Sequence, residues 1–521
     1  MKDKVKKIGV TILGIILFIA ALTFATNLWV NYQLPKIILE KNETPYSIKY
    51  EKIEISLFSR KITASGIIVV PKERQKDSLS KNGIFASIEN VTVDDYKIFP
   101  LLFKNKIEAR NITFSKPKIT LFKDSDKTIN STKNVSSKIV APFEQIIKVA
   151  NVNIENGDFS IVNIKNNKTL FSAQKVIVQL NDLAISEKTL NNKIPFSYKS
   201  YAFSCDSLIY QTDKAYQIKA TKINTTNSGL EMDNFSMTSL LTRRQFVDQS
   251  KKERDLYTLK ADKIAIKNMN WGFKEEILFF KTNQILIDKA NANIYRSKIP
   301  KDDLSVKPLY NKLLRELKFD LQIDTLTINN SNLVYEEEKT FNNGAGVLKF
   351  GSFNLQATNL YSGYQNKNLP DVLISINCKF MNKSPMVVKW RFNVLDKSDG
   401  FNIRGSIKNF ETNQLAVFTK PYLNATLKGT FDQVYFDYTG NNDTANGNFA
   451  LRYNNLNMEL YQKKNRDKKS VLKSWLGNLL LKNDSGGELV ESEIEVERIK
   501  EKSFFNFFWL CFADGLKKTF L

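Results

Sequence analysis

Ile112-Thr113-Phe114-Ser115-Lys116-Pro117-Lys118-Ile119-Thr120-Leu121 is the first of five copies of one ten-residue phrase. Positions 1, 3, 8 and 10 are apolar or small, position 5 is Asn or Lys, and position 7 is Asn, Lys or Asp. The other copies start at Val152 (with Ile154, Asn156 and Asp158), Ile264 (with Ile266 and Asn268), Ile285 (with Ile287 and Lys289) and Leu326 (with Ile328 and Asn330). Two short alternating runs around a polar kink read as strand, turn, strand with one apolar face. The copies start 40, 112, 21 and 41 residues apart, so three of the four gaps fall near multiples of twenty. A hairpin-sized unit repeated in this way predicts an elongated antiparallel sheet, each unit burying its face against its neighbours. Any antiparallel sheet shows some alternation, but here the polar pair keeps a fixed offset from the apolar positions.

Residues 8–30 carry no charge. At ~1.5 Å per residue they are long enough to cross a ~30 Å hydrocarbon core. Lys2, Lys4, Lys6 and Lys7 precede them, which keeps that end in the cytoplasm, and Trp29 and Tyr32 close the far end as an interfacial anchor would. The alternative is a cleaved signal peptide, with Thr23-Phe24-Ala25 as its small-residue site, but the run is longer than such segments usually are. Either way the chain beyond residue 30 is expected outside the cytoplasm. The expected organisation is a tail at 1–7, an anchor at 8–30, a sheet body at 31–460 and a helical region at 461–521.

Composition narrows the function. The net charge of +23 points to an anionic membrane surface. Nucleic acid is not expected as a partner, because the lysines are dispersed and no stacking motif focuses them. Cys205, Cys378 and Cys511 are isolated and odd in number, so no disulfide framework or metal spacing is visible. There is no histidine, which removes imidazole bases and nearly every zinc site. The acidic runs Asp94-Asp95, Asp302-Asp303 and Glu336-Glu337-Glu338 put neighbouring carboxylates on opposite faces of a strand, so they read as solvated turn or edge residues. No catalytic residue, metal or cofactor is expected.

Strands are expected over about 46–122, 149–296 and 319–460. Helices are expected at 142–149 and at 308–317, where Tyr310, Leu313, Leu314 and Leu317 form a stripe after Pro308. The segment around Val471, Trp475 and Leu479 has one apolar helical face. The run Phe504-Phe505-Asn506-Phe507-Phe508-Trp509 is too short to span a bilayer but has the pattern of an interfacial or partner-binding helix. Trp475, Phe504, Phe505, Phe508 and Trp509 are therefore candidate membrane or partner contacts. The alternative is that both segments simply cap the sheet.

Residues 319–337, with Phe319-Asp320-Leu321-Gln322-Ile323-Asp324-Thr325-Leu326 leading to Leu333-Val334-Tyr335-Glu336-Glu337, resemble a segment of AsmA-like proteins of Gram-negative envelopes. So do Gly429-Thr430-Phe431-Asp432, Phe436-x-Tyr438-x-Gly440, Gly447-Asn448-Phe449 and Arg452-Tyr453-Asn454-Asn455-Leu456, and the Phe-rich tail. The resemblance implies an inner-membrane-anchored periplasmic protein, similar to TamB and the repeating-β-groove proteins, whose curved, taco-like sheet holds phospholipid acyl chains in an apolar trough. About twenty strands at ~4.8 Å each would give a trough of about 95 Å, short for bridging two membranes alone. The lining expected from the phrase is Ile112, Phe114, Val152, Ile154, Ile264, Ile266, Ile285, Ile287, Leu326 and Ile328. The alternatives are that these residues form the core of an ordinary two-sheet sandwich, or that the chain is a scaffold for assembly of outer-membrane proteins, met at its C-terminal tail.

Overall fold

The computed structural model describes residues 46–56, 58–72, 82–97, 107–123, 147–186, 196–212, 216–461 and 483–520, with Thr189 and Ile194 between them. The anchor expected at 8–30, the segment around Trp475 and most of the polar stretch 123–138 lie outside these residues. Among the described residues no helix is long and apolar enough to cross a membrane. The described residues are mainly β: among them 23 strands belong to one sheet, most of them paired antiparallel. The chain divides into two compact units. Unit 1 holds the described residues up to Gln211 with Thr221–Asn227, and unit 2 holds Thr212–Ala220 with everything from Ser228 onward.

Unit 1 contains β1 (Tyr46–Lys49), β2 (Lys52–Ser56), β3 (Lys61–Pro71), β4 (Gly83–Asp94), β5 (Ile107–Ser115), β6 (Lys118–Lys123), β7 (Ile147–Asn163), β8 (Thr169–Ile185) and β9 (Ser200–Gln211), with part of β10 (Tyr216–Thr226). Ile147 to Val149, expected in a helical turn, open β7 instead. Unit 2 holds β11 (Gly229–Ser239), then α1 (Arg243–Asp248), β12 (Asp255–Lys267), β13 (Asn270–Lys274), β14 (Ile277–Asp288) and β15 (Asn291–Ser297). Next come α2 (Tyr310–Arg315), β16 (Asp320–Glu338), β17 (Gly346–Tyr361), β18 (Val372–Phe380), β19 (Ser384–Phe392) and β20 (Phe401–Glu411). The unit ends with α3 (Ala416–Leu423), β21 (Ala425–Gly440), β22 (Thr444–Leu460), β23 (Val490–Glu497) and α4 (Phe504–Phe520). The region expected to be helical after residue 460 thus contains a strand.

The repeated phrase is real, but it is not a hairpin. Copies 2 and 5 each lie within one uninterrupted strand, β7 and β16. Copy 1 runs in line through β5 and β6, which share the partner β4, and copy 4 runs through β14 and β15, which share β12. The kink is a left-handed bulge: Lys116, Asn156, Asn268, Lys289 and Asn330 have φ of +46°, +52°, +53°, +50° and +51°. This region is costly for most side chains and several-fold enriched in Asn, which accounts for part of the choice at position 5.

The bulge explains the odd offset between the apolar pairs. Positions 3 and 8 are five apart and would face opposite ways in a regular strand. β18 tests this, because Ile374, Ile376 and Phe380 alternate regularly on one face. Ala357, Leu355 and Phe350 of β17 pair with them on either side of Ser352, whose φ is +47°. Leu326, Ile328, Leu333 and Tyr335 of β16 pair in turn with Ala357, Leu355, Phe350 and Leu348. Both apolar pairs of the copy therefore share a face.

The expectation of a wholly antiparallel sheet is corrected at two places. β5 and β6 run parallel to β7, and β14 and β15 run parallel to β16. These pairings join copies 40 and 41 residues apart, and their bulges match bond for bond. Lys116 N donates to Glu155 O at 2.7 Å and Asp158 N to Pro117 O at 2.7 Å; Lys289 N donates to Asn329 O at 3.0 Å and Asn332 N to Ala290 O at 2.8 Å. Copies 3 and 4, 21 residues apart, form the one hairpin of the set, β12–β13 against β14–β15. A gap of forty is a crossover between parallel neighbours, and a gap of twenty is a hairpin.

Candidate apolar binding face

In unit 1 the register builds two apolar rows across neighbouring strands. Ile55, Ile62, Val93, Ile112, Val152, Leu180 and Tyr201 form one; Ile53, Ala64, Val91, Phe114, Ile154, Val178 and Phe203 form the other. All but Ile55 are only half-buried. The opposite face is polar: Thr63, Thr92, Thr113, Asn153 and Gln179 form a row there, beside a 2.7 Å bond from Asn151 Nδ2 to Asn111 Oδ1.

Unit 2 repeats the arrangement. Leu230, Ile266, Ile285, Leu326, Ala357, Ile374, Trp390, Ile403 and Tyr438 line up from β11 to β21. Beside them run Met232, Ile264, Ile287, Ile328, Leu355, Ile376, Val388, Gly405, Phe436 and Phe449, the last on β22. The ring of Phe436 lies over Gly405, where a Cβ would come within 2.5 Å of its Cζ, so the gap in the row is filled from the next strand.

Burial rises along these rows toward the C-terminal strands, because α4 lies on them. Phe504 stacks on Trp390 at 4.5 Å between ring centroids, Phe508 meets Phe436 at 5.2 Å and Phe512 meets Phe449 at 5.2 Å. Tyr438 and Phe449 are fully buried beneath it. The core sealed by α4 reaches Ile374 and Ile376. From β16 back to β11 the row members stay half-buried. All ten residues expected to line a lipid site fall in these rows, five pairs on register-matched positions, and all ten are half-buried.

The tail residues divide. Phe504 is 5 % exposed and Phe508 packs against the core, so both serve the fold; Phe505 and Trp509 point outward, 63 % and 49 % exposed. In α2, shorter than expected, Tyr310 and Leu314 pack inward while Leu313 is exposed. The stripe missed Asn311, buried with its Nδ2 donating to the carbonyls of Asn393 at 3.0 Å and Gly400 at 2.9 Å. The sequence reading also missed Trp390, Ile403, Phe436 and Phe449, although Val434-x-Phe436-x-Tyr438 and Phe449-x-Leu451-x-Tyr453 alternate in the same way.

No family model matches the chain, and no curated protein matches it. The chemistry must be read from the side chains themselves.

The acidic triplet is not solvated. Arg243 grips Glu336 through both terminal nitrogens at 2.8 and 2.5 Å, Tyr335 Oη donates to Glu337 at 2.5 Å, and Tyr295 Oη donates to the buried Glu338 at 2.5 Å. Burial and the Glu338 bond both raise the Tyr295 phenol. Asp302 accepts from Lys502 at 2.9 Å, and Asp303, bonded by Lys307 and Ser305, is held well below the usual carboxylate range.

Two features of the face yield direct expectations. Tyr438 is fully buried and, among the described residues, its Oη has no hydrogen-bond partner; burial raises its phenol. An orphaned buried hydroxyl costs ~1–3 kcal/mol. Tyr438→Phe should raise the urea midpoint of unit 2, and a clear loss of stability would reveal a bond that the geometry lacks. Cys205, Cys378 and Cys511 are free and buried, and burial pushes their thiols up to about 11, 11 and 12. The thiolate is the reactive form. At pH 8 an aromatic disulfide reagent should therefore label them only as the protein unfolds; prompt labelling of the native protein would contradict their placement.

Proposed function

We propose that the chain is a membrane-anchored envelope protein that holds phospholipid acyl chains on the apolar face of its sheet, in the manner of AsmA-like proteins, and takes part in lipid transfer or outer-membrane homeostasis. In this reading residues 8–30 sit in the inner membrane, the sheet curves into a periplasmic groove, and no catalytic group is needed. One observation carries it: two apolar rows run from strand to strand in each unit, with a polar row behind them in unit 1, and apart from Ile55 and Ala357 their members stay half-buried up to the C-terminal strands that α4 covers. Soluble proteins rarely leave so large an apolar surface against water, and acyl chains would cover it without asking for any specific polar contact.

Neighbouring residues on opposite faces give the test. The full chain is expressed in cells with a photoreactive benzoylphenylalanine at Ile328 or at Thr327, and adducts are identified by mass spectrometry. Lipid adducts should form at Ile328 and be at least about tenfold rarer at Thr327, since the two side chains face opposite ways. Equal yields, or none at either position, would sink the reading. A second reading, a scaffold for outer-membrane proteins met at the C-terminal tail, is favoured by one feature: Phe505 and Trp509 of α4 point outward, 63 % and 49 % exposed. Protein adducts at Ile328 with no lipid would move that reading to the front.

A further inference from the structure

Unit 2 carries a second apolar surface, separate from the rows. Leu304 is 73 % exposed, Val306 61 % and Phe505 63 %, and Leu313, Ile499 and Trp509 are close to half exposed. They come from three stretches of chain that are tied together. Lys307 N donates to Lys500 O at 2.8 Å, the Arg498 guanidinium donates to Lys307 O, and Lys502 Nζ bonds Asp302 at 2.9 Å. The Tyr310 ring meets Phe505 edge-on at 6.5 Å. Phe505 and Trp509 lie one turn apart on the outer side of α4, whose inner side already buries Phe504, Phe507 and Cys511. The fold therefore does not need the outer pair.

Charge says what the surface meets. Residues 299–318 and 498–520 together hold ten Lys or Arg against five Asp or Glu. Leu313 lines a cleft with Pro308, Tyr310 and Phe504, but Leu304, Val306, Ile499, Phe505 and Trp509 do not line it, so a protein partner would need a matching set of holes for them. A lipid headgroup layer moulds itself around knobs, accepts Trp and Phe at the depth of the acyl boundary, and places its phosphates beside the flanking lysines. We propose that this patch docks unit 2 on the surface of an anionic phospholipid bilayer. The proposal rests on the reading that the chain works at a membrane, but not on the apolar rows holding acyl chains.

The experiment uses the full chain reconstituted into vesicles, with benzoylphenylalanine replacing Trp509, or replacing Lys389 on the polar face as a control. Vesicles of phosphatidylcholine with a minority of phosphatidylglycerol should give abundant lipid adducts at position 509 and few at 389. Pure phosphatidylcholine should lower the 509 yield by about fivefold or more, because each lysine near an anionic surface gains ~1 kcal/mol. Adding Leu304→Ser and Val306→Ser should reduce the yield again while leaving the melting curve unchanged, since both side chains are exposed. A yield at 509 no greater than at 389, or one indifferent to phosphatidylglycerol, overturns the proposal. So do adducts to protein in cells in place of lipid. Adducts at 509 with none at Ile328 would uphold the patch and reject acyl binding by the rows, so the two readings fail separately.

Discussion

Deleting Asn330 is expected to unfold unit 2, whereas Asn330→Gly should leave it folded with a loss of no more than about 1 kcal/mol. Asn330 is the left-handed residue of its bulge, and Gly enters that conformation freely. The deletion removes the bulge together with the residue. Leu333 and Tyr335 would turn to the polar face, or β16 would slip against β17 and take its other apolar residues out of register. Each large apolar side chain removed from cover costs about 1.5–3 kcal/mol. β16 also pairs with β14, β15 and β17, so the fault cannot be confined to one strand. The total approaches the ~5–15 kcal/mol that holds a whole domain together. Circular dichroism melts and limited proteolysis of the two variants would check this. A deletion variant melting close to the parent would show that the bulge does not set the face.

Gly515→Leu is expected to lift α4 off the sheet, at a cost of about 3 kcal/mol or more. A Cβ at Gly515 would lie 2.4 Å from Cγ and 2.6 Å from Cβ of Phe449. Phe449 cannot retreat, because β22 is hydrogen-bonded to β21 on one side and β23 on the other. The helix must move instead, and its Phe504, Phe507 and Cys511 would lose their contacts with the sheet. Lys517→Leu, two residues along on the exposed side, adds the same side chain without the clash and should change little. Urea denaturation and binding of a hydrophobic dye would separate the two: the first variant should lose stability and bind dye, the second neither. An unchanged midpoint for Gly515→Leu would mean that the helix is not seated as described.

The apolar rows were legible because a period of two survives any change of strand partner. Ile264 and Ile266 announce a face whether their neighbour is parallel or antiparallel. Direction was not legible, since a spacing of forty fits two hairpins or one crossover, and only the pairing of Ile112 with Val152 decides. In the sequence the bulge reads as a turn for a chemical reason: Asn and Lys-Pro at a left-handed residue are also what a tight turn selects. The solvated reading of Glu336 to Glu338 failed because alternation places side chains on faces but says nothing of what arrives from elsewhere, here Arg243 from α1 and Tyr295 from β15. The double role of the Phe-rich tail was half legible. Its length and aromatic content were plain, but which rings turn inward depends on the helix meeting Trp390, Phe436 and Phe449.

The two parallel crossovers also order events in time. The hairpin β12–β15 can close as soon as its own residues have left the ribosome, whereas β5 and β6 must wait for β7, and β14 and β15 for β16, some forty residues later. Closing the longer loop costs little extra free energy, but it leaves a strand edge, already shaped and apolar on one side, open while synthesis continues. Such an edge will accept any strand that arrives first. The chain is thus exposed to mispairing while these edges wait, just after Lys123 and just after Ser297. A chaperone that shields nascent strands would act at those two points.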